Sequence, residues 1–237
     1  MLTSLSANVV DLPDLRDRVG VFRNRAQAGE VLAGMLEGYS DSDATVMAVP
    51  AGGVPVAKVL AEQLNLPLYI AVVSKITLPW NTEVGYGAVA FDGTVRLNDD
   101  LVARLGLTDE EIQQGISKTS AKVAHRVKNL RGAQALPDLS ASQIILVDDG
   151  LASGFTMYVA VEAVQKAGTT SITVAVPTGH QRSVVSIAGE VDTLYCANMR
   201  GGYHFAVADA YLRWSDVGEK EVVSLLAGAL SRKNRYY

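Results

Sequence analysis

IILVDDGLASGFT, residues 144–156, is the stretch whose reading decides the fold. Ile144 to Val147 form an unbroken apolar run, the pattern of a strand buried on both faces of a parallel sheet. Asp148 and Asp149 stand at its C-terminal end, where an open α/β sheet places its ligand crevice. Paired carboxylates at that place accept hydrogen bonds from sugar hydroxyls or face a divalent cation. Gly150, Leu151, Ala152, Ser153, Gly154, Phe155 and Thr156 then make a loop that opens a helix. Gly154 lets backbone approach a phosphate, Ser153 and Thr156 offer hydroxyls, and the free N–H groups of the new helix point at the anion. Val159, Ala163, Val164 and Ala167 repeat at helical spacing before Gly168 stops the helix. In outline this is a sugar-phosphate site.

Two further segments fit the same outline. Thr45 to Val49 is another apolar strand, and Pro50-Ala51-Gly52-Gly53-Val54-Pro55 turns into a helix carrying Val56, Val59, Leu60 and Leu64. Consecutive glycines at a strand-to-helix junction expose backbone amides to an anion. The apolar run Leu68 to Val73 ends in Ser74-Lys75, which puts an ammonium at a strand end.

Together these segments resemble the type I phosphoribosyltransferases. That family binds phosphoribosyl diphosphate (PRPP) with an apolar strand, two acidic residues and a small-residue phosphate loop closing on Gly and Thr. The motif is close to the adenine-type version, with Ser153 and Phe155 where Thr and Gly are commoner. The resemblance implies that Leu151 to Thr156 anchor the 5'-phosphate, that Asp148 and Asp149 fix the ribose, and that Gly52, Gly53 and Lys75 face the pyrophosphate, with Ala51 and Gly150 also among the residues that meet PRPP. Lys75, Asp148 and Asp149 are then the catalytic set. It also implies Mg²⁺ held chiefly by PRPP oxygens and water, with Asp148 and Asp149 facing the ion through water. In the family an Arg often stands beside the glycines of the pyrophosphate loop; Ala51 stands there instead, which removes one cation from the leaving-group site.

The activity so implied is transfer of ribose 5-phosphate from PRPP to a nitrogen acceptor, in the first instance a nucleobase, with release of pyrophosphate. Such an enzyme is a glycosyltransferase (pentosyltransferase) of nucleotide metabolism, and dimers of identical subunits are usual in the family. The acceptor stacks, by the same resemblance, under a C-terminal hood at about 198–216, where Tyr203, His204 and Phe205 follow Gly201-Gly202. Members that use 6-oxopurines carry a carboxylate where Ala152 stands, so the resemblance argues against hypoxanthine and guanine. Adenine, orotate, uracil and non-nucleobase amines stay open. The alternative is a non-catalytic PRPP-binding or regulatory protein on the same fold, since a ligand site does not guarantee chemistry.

Composition excludes several other classes. With 237 residues, 49% of them hydrophobic and 19% charged, the chain builds one sizeable core, and 1–237 reads as a single domain. A net charge of -4 argues against a nucleic-acid partner, whose binder would be basic. A single cysteine, Cys196 in an apolar stretch, gives neither a disulfide framework nor a cysteine zinc site and reads as a buried structural thiol. No run of about 18 apolar residues suggests a membrane span, and Asp11, Asp14 and Asp17 spoil a signal-peptide layout, so the cytoplasm is the expected compartment.

Alternating strand and helix patterns predict an α/β fold, a parallel sheet of about five strands flanked by helices. A helix is expected over Ala26 to Tyr39, and strands at 45–49, 68–75, 143–149, 171–177 and 192–197. An insertion at about 77–132 reads as a hairpin over Gly85 to Leu97 about the turn pair Asp92-Gly93. A helix opened by a Thr108/Glu111 capping box follows it. In the family this region closes over PRPP as a mobile loop. Lys118, Lys122 and Arg126 form an i, i+4 stripe on that helix, which reads first as a solvated face and in the alternative as reaching phosphates or an acidic partner subunit, and Glu83 resembles a family Glu of undetermined role. Asp216 to Glu219 caps a final helix through Leu230, followed by a frayed tail from Arg232 to Tyr237. Gly85, Gly87 and Ala90 have the spacing of a dinucleotide fingerprint but run into a hairpin instead of a helix. No Gly-x4-Gly-Lys-Ser/Thr loop is present, and Ser153 lacks the glycine spacing of a nucleophile elbow.

Overall fold

A computed structural model describes residues 7–131 and 136–233, without the side chains of 82–83 and 228–233. Its centre is built from the three most apolar strands, β2 (Thr45–Ala48), β7 (Gln143–Val147) and β8 (Ser171–His180). Together with β1 (Val9–Asp11), β3 (Leu68–Ile70) and β9 (Thr193–Arg200) they form a six-stranded sheet in the order β1-β9-β8-β7-β2-β3. Every neighbouring pair is parallel. Residues alternate between two cores, as the two-residue period of a strand requires. Ile145 and Val147 face one core with the helices α1 (Arg25–Met35) and α2 (Gly53–Leu64). Ile144 and Leu146 face the other, with α5 (Phe155–Lys166) and α6 (Gln181–Ala188).

The register of β2 and β7 positions the site. Ala48 stands opposite Val147, so the two strands end level. The turn after β2 and the carboxylates after β7 therefore emerge side by side at one edge of the sheet. Leu151 extends this edge by bridging to Gly179 of β8: its N–H donates to the Thr178 carbonyl at 2.9 Å and its carbonyl accepts from the His180 N–H at 2.8 Å.

The insertion forms a second, antiparallel sheet of β4 (Val73–Leu78), β5 (Asn81–Ala90) and β6 (Val95–Leu97). The β5–β6 hairpin turns at the predicted Asp92-Gly93 pair, with the Asp92 carboxylate accepting from the Thr94 N–H and hydroxyl and Gly93 at φ 91°. A short helix α3 (Asp99–Leu105) leads into α4 (Asp109–Arg131), and the capping box is present: Glu111 accepts from Thr108 N–H and the Thr108 hydroxyl accepts from Glu111 N–H. The helix α4 packs on β4 and β5, and α7 (Glu219–Lys233) packs on α2 and α4. Cys196 is fully buried, and burial pushes its thiol pKa upward. Among the described residues no helix is long and apolar enough to cross a membrane.

Several boundaries differ from expectation. The single strand expected at 68–75 is two strands in different sheets, because Ala71 and Val72 at the corner are as buried as the strands and give no polar signal. The strand β1 has no counterpart among the expected strands: three residues at a sheet edge are too short for a periodic pattern. The helix α1 stops at Met35, and Glu37–Tyr39 is a single 3-10 turn, consistent with the poor helix propensity of Gly34 and Gly38. The strand expected to end at 149 ends at Val147, which frees both aspartates from the ladder. The final helix continues to Lys233, and residues 234–237 of the expected tail lie outside the described residues.

Leu146 sits fully buried in the middle of β7. Replacing it with Ala leaves a cavity and is expected to lower unfolding stability by about 2–5 kcal/mol in chemical denaturation, where a loss under about 1 kcal/mol would contradict this packing.

Candidate active site

A cleft of about 470 Å³ opens at the C-terminal edge of β2 and β7. It collects residues from segments far apart in sequence: Ala51 and Gly52 from the first loop, Lys75 from β4, Asp148 and Asp149, and Gly150 to Thr156. Of the residues predicted to meet PRPP, only Gly53 does not line it. The Gly53 backbone lies against the floor instead, where an added Cβ would sit 2.6 Å from the Val147 carbonyl oxygen and 2.9 Å from Asp148 Cα. A Cβ on Gly52 would sit 2.0 Å from Asp149 Oδ2. The glycine pair is thus required by close approach, because side chains there would push the first loop off the aspartates. The Pro50–Ala51 peptide in this loop is cis.

The second loop is held from below and open above. The Ser183 hydroxyl of α6 donates to the Ala152 carbonyl at 2.5 Å, and Gly154 takes the left-handed conformation (φ 75°) from which α5 starts. Among the described residues the N–H groups of Ser153, Gly154 and Thr156 donate to no acceptor, as expected of amides at a helix start. Such amides, reinforced by the helix dipole, suit a phosphate.

The two aspartates differ in environment. Asp148 is half-buried at the cleft wall; desolvation first, and the neighbouring Asp149 charge second, hold its carboxyl pKa well above the ordinary carboxylate range. Its Oδ1 accepts from the Asp149 N–H at 2.8 Å. Asp149 is instead gripped from the side. Arg25 Nε donates to its Oδ2 at 2.8 Å, and the Tyr211 hydroxyl donates to its backbone carbonyl at 2.6 Å. Arg25 in turn donates through Nη1 to the Ser215 carbonyl, and its guanidinium lies 3.8 Å from the Trp214 ring centroid. Neither Arg25 nor Tyr211 is among the residues that the sequence singles out for this site. Arg25 stands 124 residues from its partner and opens a helix whose visible signal is the Asn24 cap, so no local pattern marks it.

The structure does not bring Tyr203, His204 and Phe205 to the cleft lining. Tyr203 is fully exposed, while Phe205 packs edge-on against His180 and under the Arg200 guanidinium. Val207 is the residue of this segment that reaches the cleft. Lys118 and Lys122 of the stripe are exposed, as a solvated face requires, while Lys122 and the half-buried Arg126 also line the cleft. Glu83 falls in β5 at a position whose side chain lies outside the described residues.

Among the described residues, no three His, Cys, Asp or Glu side chains converge on a metal position. Asp148 Oδ2 and Asp149 Oδ1 remain without a protein donor among the described residues, so the site can present two carboxylate oxygens to a cation. That donor set fits a cation such as Mg²⁺, which keeps waters and takes ligand phosphates as its other partners, and does not fit a cation needing an all-protein cage.

Residues 23–196 match the family model described as phosphoribosyl transferase domain. A protein of Mycobacterium tuberculosis strain H37Rv, named "Putative phosphoribosyl transferase Rv0571c", is 32% identical over 206 residues, covering 87% of this chain and 46% of the relative. The corresponding protein of strain CDC 1551 matches equally, so the chain spans about half the length of these curated relatives. Among solved structures, that of TT1426 from Thermus thermophilus superposes with a TM-score of 0.70 at 26% identity, covering 87% of this chain and 98% of that one.

Two outcomes follow from the aspartates. Arg25→Met removes the partner of a largely buried carboxylate and is expected to lower stability by about 3 kcal/mol in denaturant melts, with little loss if Asp149 simply turns to water. A carboxyl whose folded pKa is raised contributes stability below its unfolded pKa and loses it as pH climbs toward the folded value. Asp148→Asn is therefore expected to stabilise the ligand-free protein at neutral pH. The gain should shrink on acidification toward the ordinary carboxylate range, and a pH-independent difference in melting temperature would refute the assignment.

Proposed function

The chain belongs to the phosphoribosyl transferase domain family, and from that premise we propose that it binds PRPP and transfers ribose 5-phosphate to a nitrogen acceptor, releasing pyrophosphate. The observation that carries this reading is the close approach of the Gly52-Gly53 backbone to Asp148 and Asp149, beside the open amides of Ser153, Gly154 and Thr156, in one cleft.

In this reading the 5'-phosphate anchors on the 151–156 loop, through the amides of Ser153, Gly154 and Thr156 and the hydroxyls of Ser153 and Thr156. The free oxygens of Asp148 and Asp149 accept from the ribose hydroxyls, which fixes C1 relative to both reaction partners. The pyrophosphate lies over Gly52, Gly53 and Lys75. The C1–O bond breaks with its electron pair leaving on pyrophosphate, the acceptor nitrogen forms a bond to C1 from the opposite side, and the acceptor proton departs to solvent. Positive charge develops on the ribose as the bond loosens, so the nearby carboxylates stabilise the transition state more than the ground state. Asp148 and Asp149 would face a Mg²⁺ ion brought with PRPP, chiefly through water, and the ion would supply further neutralisation of pyrophosphate.

For the acceptor, Ala152 offers no carboxylate beside the base, which favours acceptors other than 6-oxopurines. Val207 gives the cleft an apolar wall where a flat ring can rest. A homodimer in the cytoplasm, with a place in nucleotide metabolism, completes the proposal. Two observations favour a second reading, a PRPP-binding protein without transfer: Ala51 stands where the family often has Arg, and Arg25 already occupies one oxygen of Asp149.

Mixing the protein with PRPP, Mg²⁺ and a panel of bases and amines, and following pyrophosphate release, separates these readings. Turnover on at least one acceptor, reduced roughly 100-fold or more by Asp148→Asn or Asp149→Asn, is the expected result. Thermal stabilisation by PRPP with no turnover would favour the second reading, and no PRPP binding would refute both.

A further inference from the structure

The loop that faces the pyrophosphate in the proposed reading carries no cation, because Ala51 stands beside its glycines. The cleft nevertheless has an excess of cations on that side. Lys75, Lys122 and Arg126 line it together with Ala51 and Gly52, and its only carboxylates are Asp148 and Asp149 among the described residues. Asp149 is paired with Arg25, which reaches it from behind. Lys75 and Lys122 have no hydrogen-bond or ion-pair partner among the described residues.

Lys122 and Arg126 are held at this place by the packing of α4 on β4. Arg126 Nη1 donates to the Ser74 hydroxyl at 3.1 Å and to the Val73 carbonyl at 3.4 Å, next to Lys75 in the chain. Its Nε donates to Glu219 of α7 at 2.8 Å, so the guanidinium is fixed rather than free. Lys122 lies one helical turn earlier on the same face. Lys122 and Lys118, a further turn back, are both exposed, but Lys118 does not line the cleft. Like charges at i, i+4 destabilise a helix, and a cleft that gathers three cations is stabilised when a polyanion occupies it. The one cation of the three with a protein anion, Arg126, shares it with solvent, since Glu219 is largely exposed.

We propose that Lys122 and Arg126 of α4 replace the arginine missing at Ala51, and that with Lys75 they form the pyrophosphate-binding side of the cleft. This rests on the PRPP reading above and adds to it: the leaving group is neutralised from the insertion and not from the loop after β2. Lys122, exposed and unpaired among the described residues, contacts the pyrophosphate. Arg126 mainly positions the β4 backbone beside Lys75 and adds fixed charge.

The test titrates inorganic pyrophosphate and, separately, ribose 5-phosphate into the full chain at constant Mg²⁺. One charge-assisted contact corresponds to roughly tenfold in affinity, so Lys122→Ala is expected to weaken pyrophosphate about tenfold. The variant should leave ribose 5-phosphate, whose phosphate belongs to the 151–156 loop, within about twofold. Lys118→Ala should leave both ligands within about twofold, and the salt dependence of pyrophosphate binding should be shallower for Lys122→Ala than for Lys118→Ala. Because Arg126→Gln can disturb packing, Lys122→Arg serves as the second variant and should retain pyrophosphate affinity. Unchanged pyrophosphate binding in Lys122→Ala, or an equal loss for both ligands, overturns the proposal while leaving the PRPP reading intact. If the unaltered protein binds neither ligand nor PRPP, the PRPP reading itself fails.

Discussion

The close approach of the Gly52-Gly53 turn to the two aspartates is the constraint on which the rest of the site depends. It exists because β2 and β7 are adjacent, parallel and level at their C-terminal ends. Backbone and carboxylate then share a space too small for a single methyl group. A parallel sheet achieves this only with helices on both faces, since its strands are apolar throughout. The two cores, α1 and α2 on one side and α5 and α6 on the other, are therefore the means by which one turn is pressed against one pair of acids.

The aspartates are made unequal by what packs around them. Asp148 lines the cleft half-buried and its charge is disfavoured, whereas Asp149 is held by a guanidinium stacked on Trp214 and by the Tyr211 hydroxyl. The C-terminal segment thus acts on the cleft chiefly from behind, by tying Asp149 to α1. The aromatics Tyr203 and Phe205 are directed elsewhere, one to solvent and one to Arg200. An aromatic-rich segment after the last strand is a reasonable place to look for ring stacking, but only the path of the chain decides which ring faces which way.

Much of the sheet is legible because its signals are local and strong. Apolar runs bounded by Gly, Pro or Asp mark β2, β7 and β8, and side-chain chemistry marks the Asp92-Gly93 turn and the Thr108 capping box. What stays hidden lacks such signals. The corner at Ala71 and Val72 is buried, so hydrophobicity runs through it without a break, and β1 is too short for any period. The stripe on α4 looks like any charged helix face until β4 is placed beneath it. The same i, i+4 spacing leaves Lys118 in water alone and brings Lys122, itself exposed, and Arg126 to the cleft wall.

By itself the sequence determined the class of fold and the loops that line the cleft, since strand burial, paired acids at a strand end and glycine-rich helix starts are each written in adjacent residues. Only the tertiary structure decided which charges meet. Arg25 finds Asp149 across 124 residues, and α4 brings its lysine and arginine to a cleft made by other segments. The physical reason is range: propensity and periodicity act over a few residues, whereas ion pairing and steric exclusion act across space, wherever the packed cores place the groups.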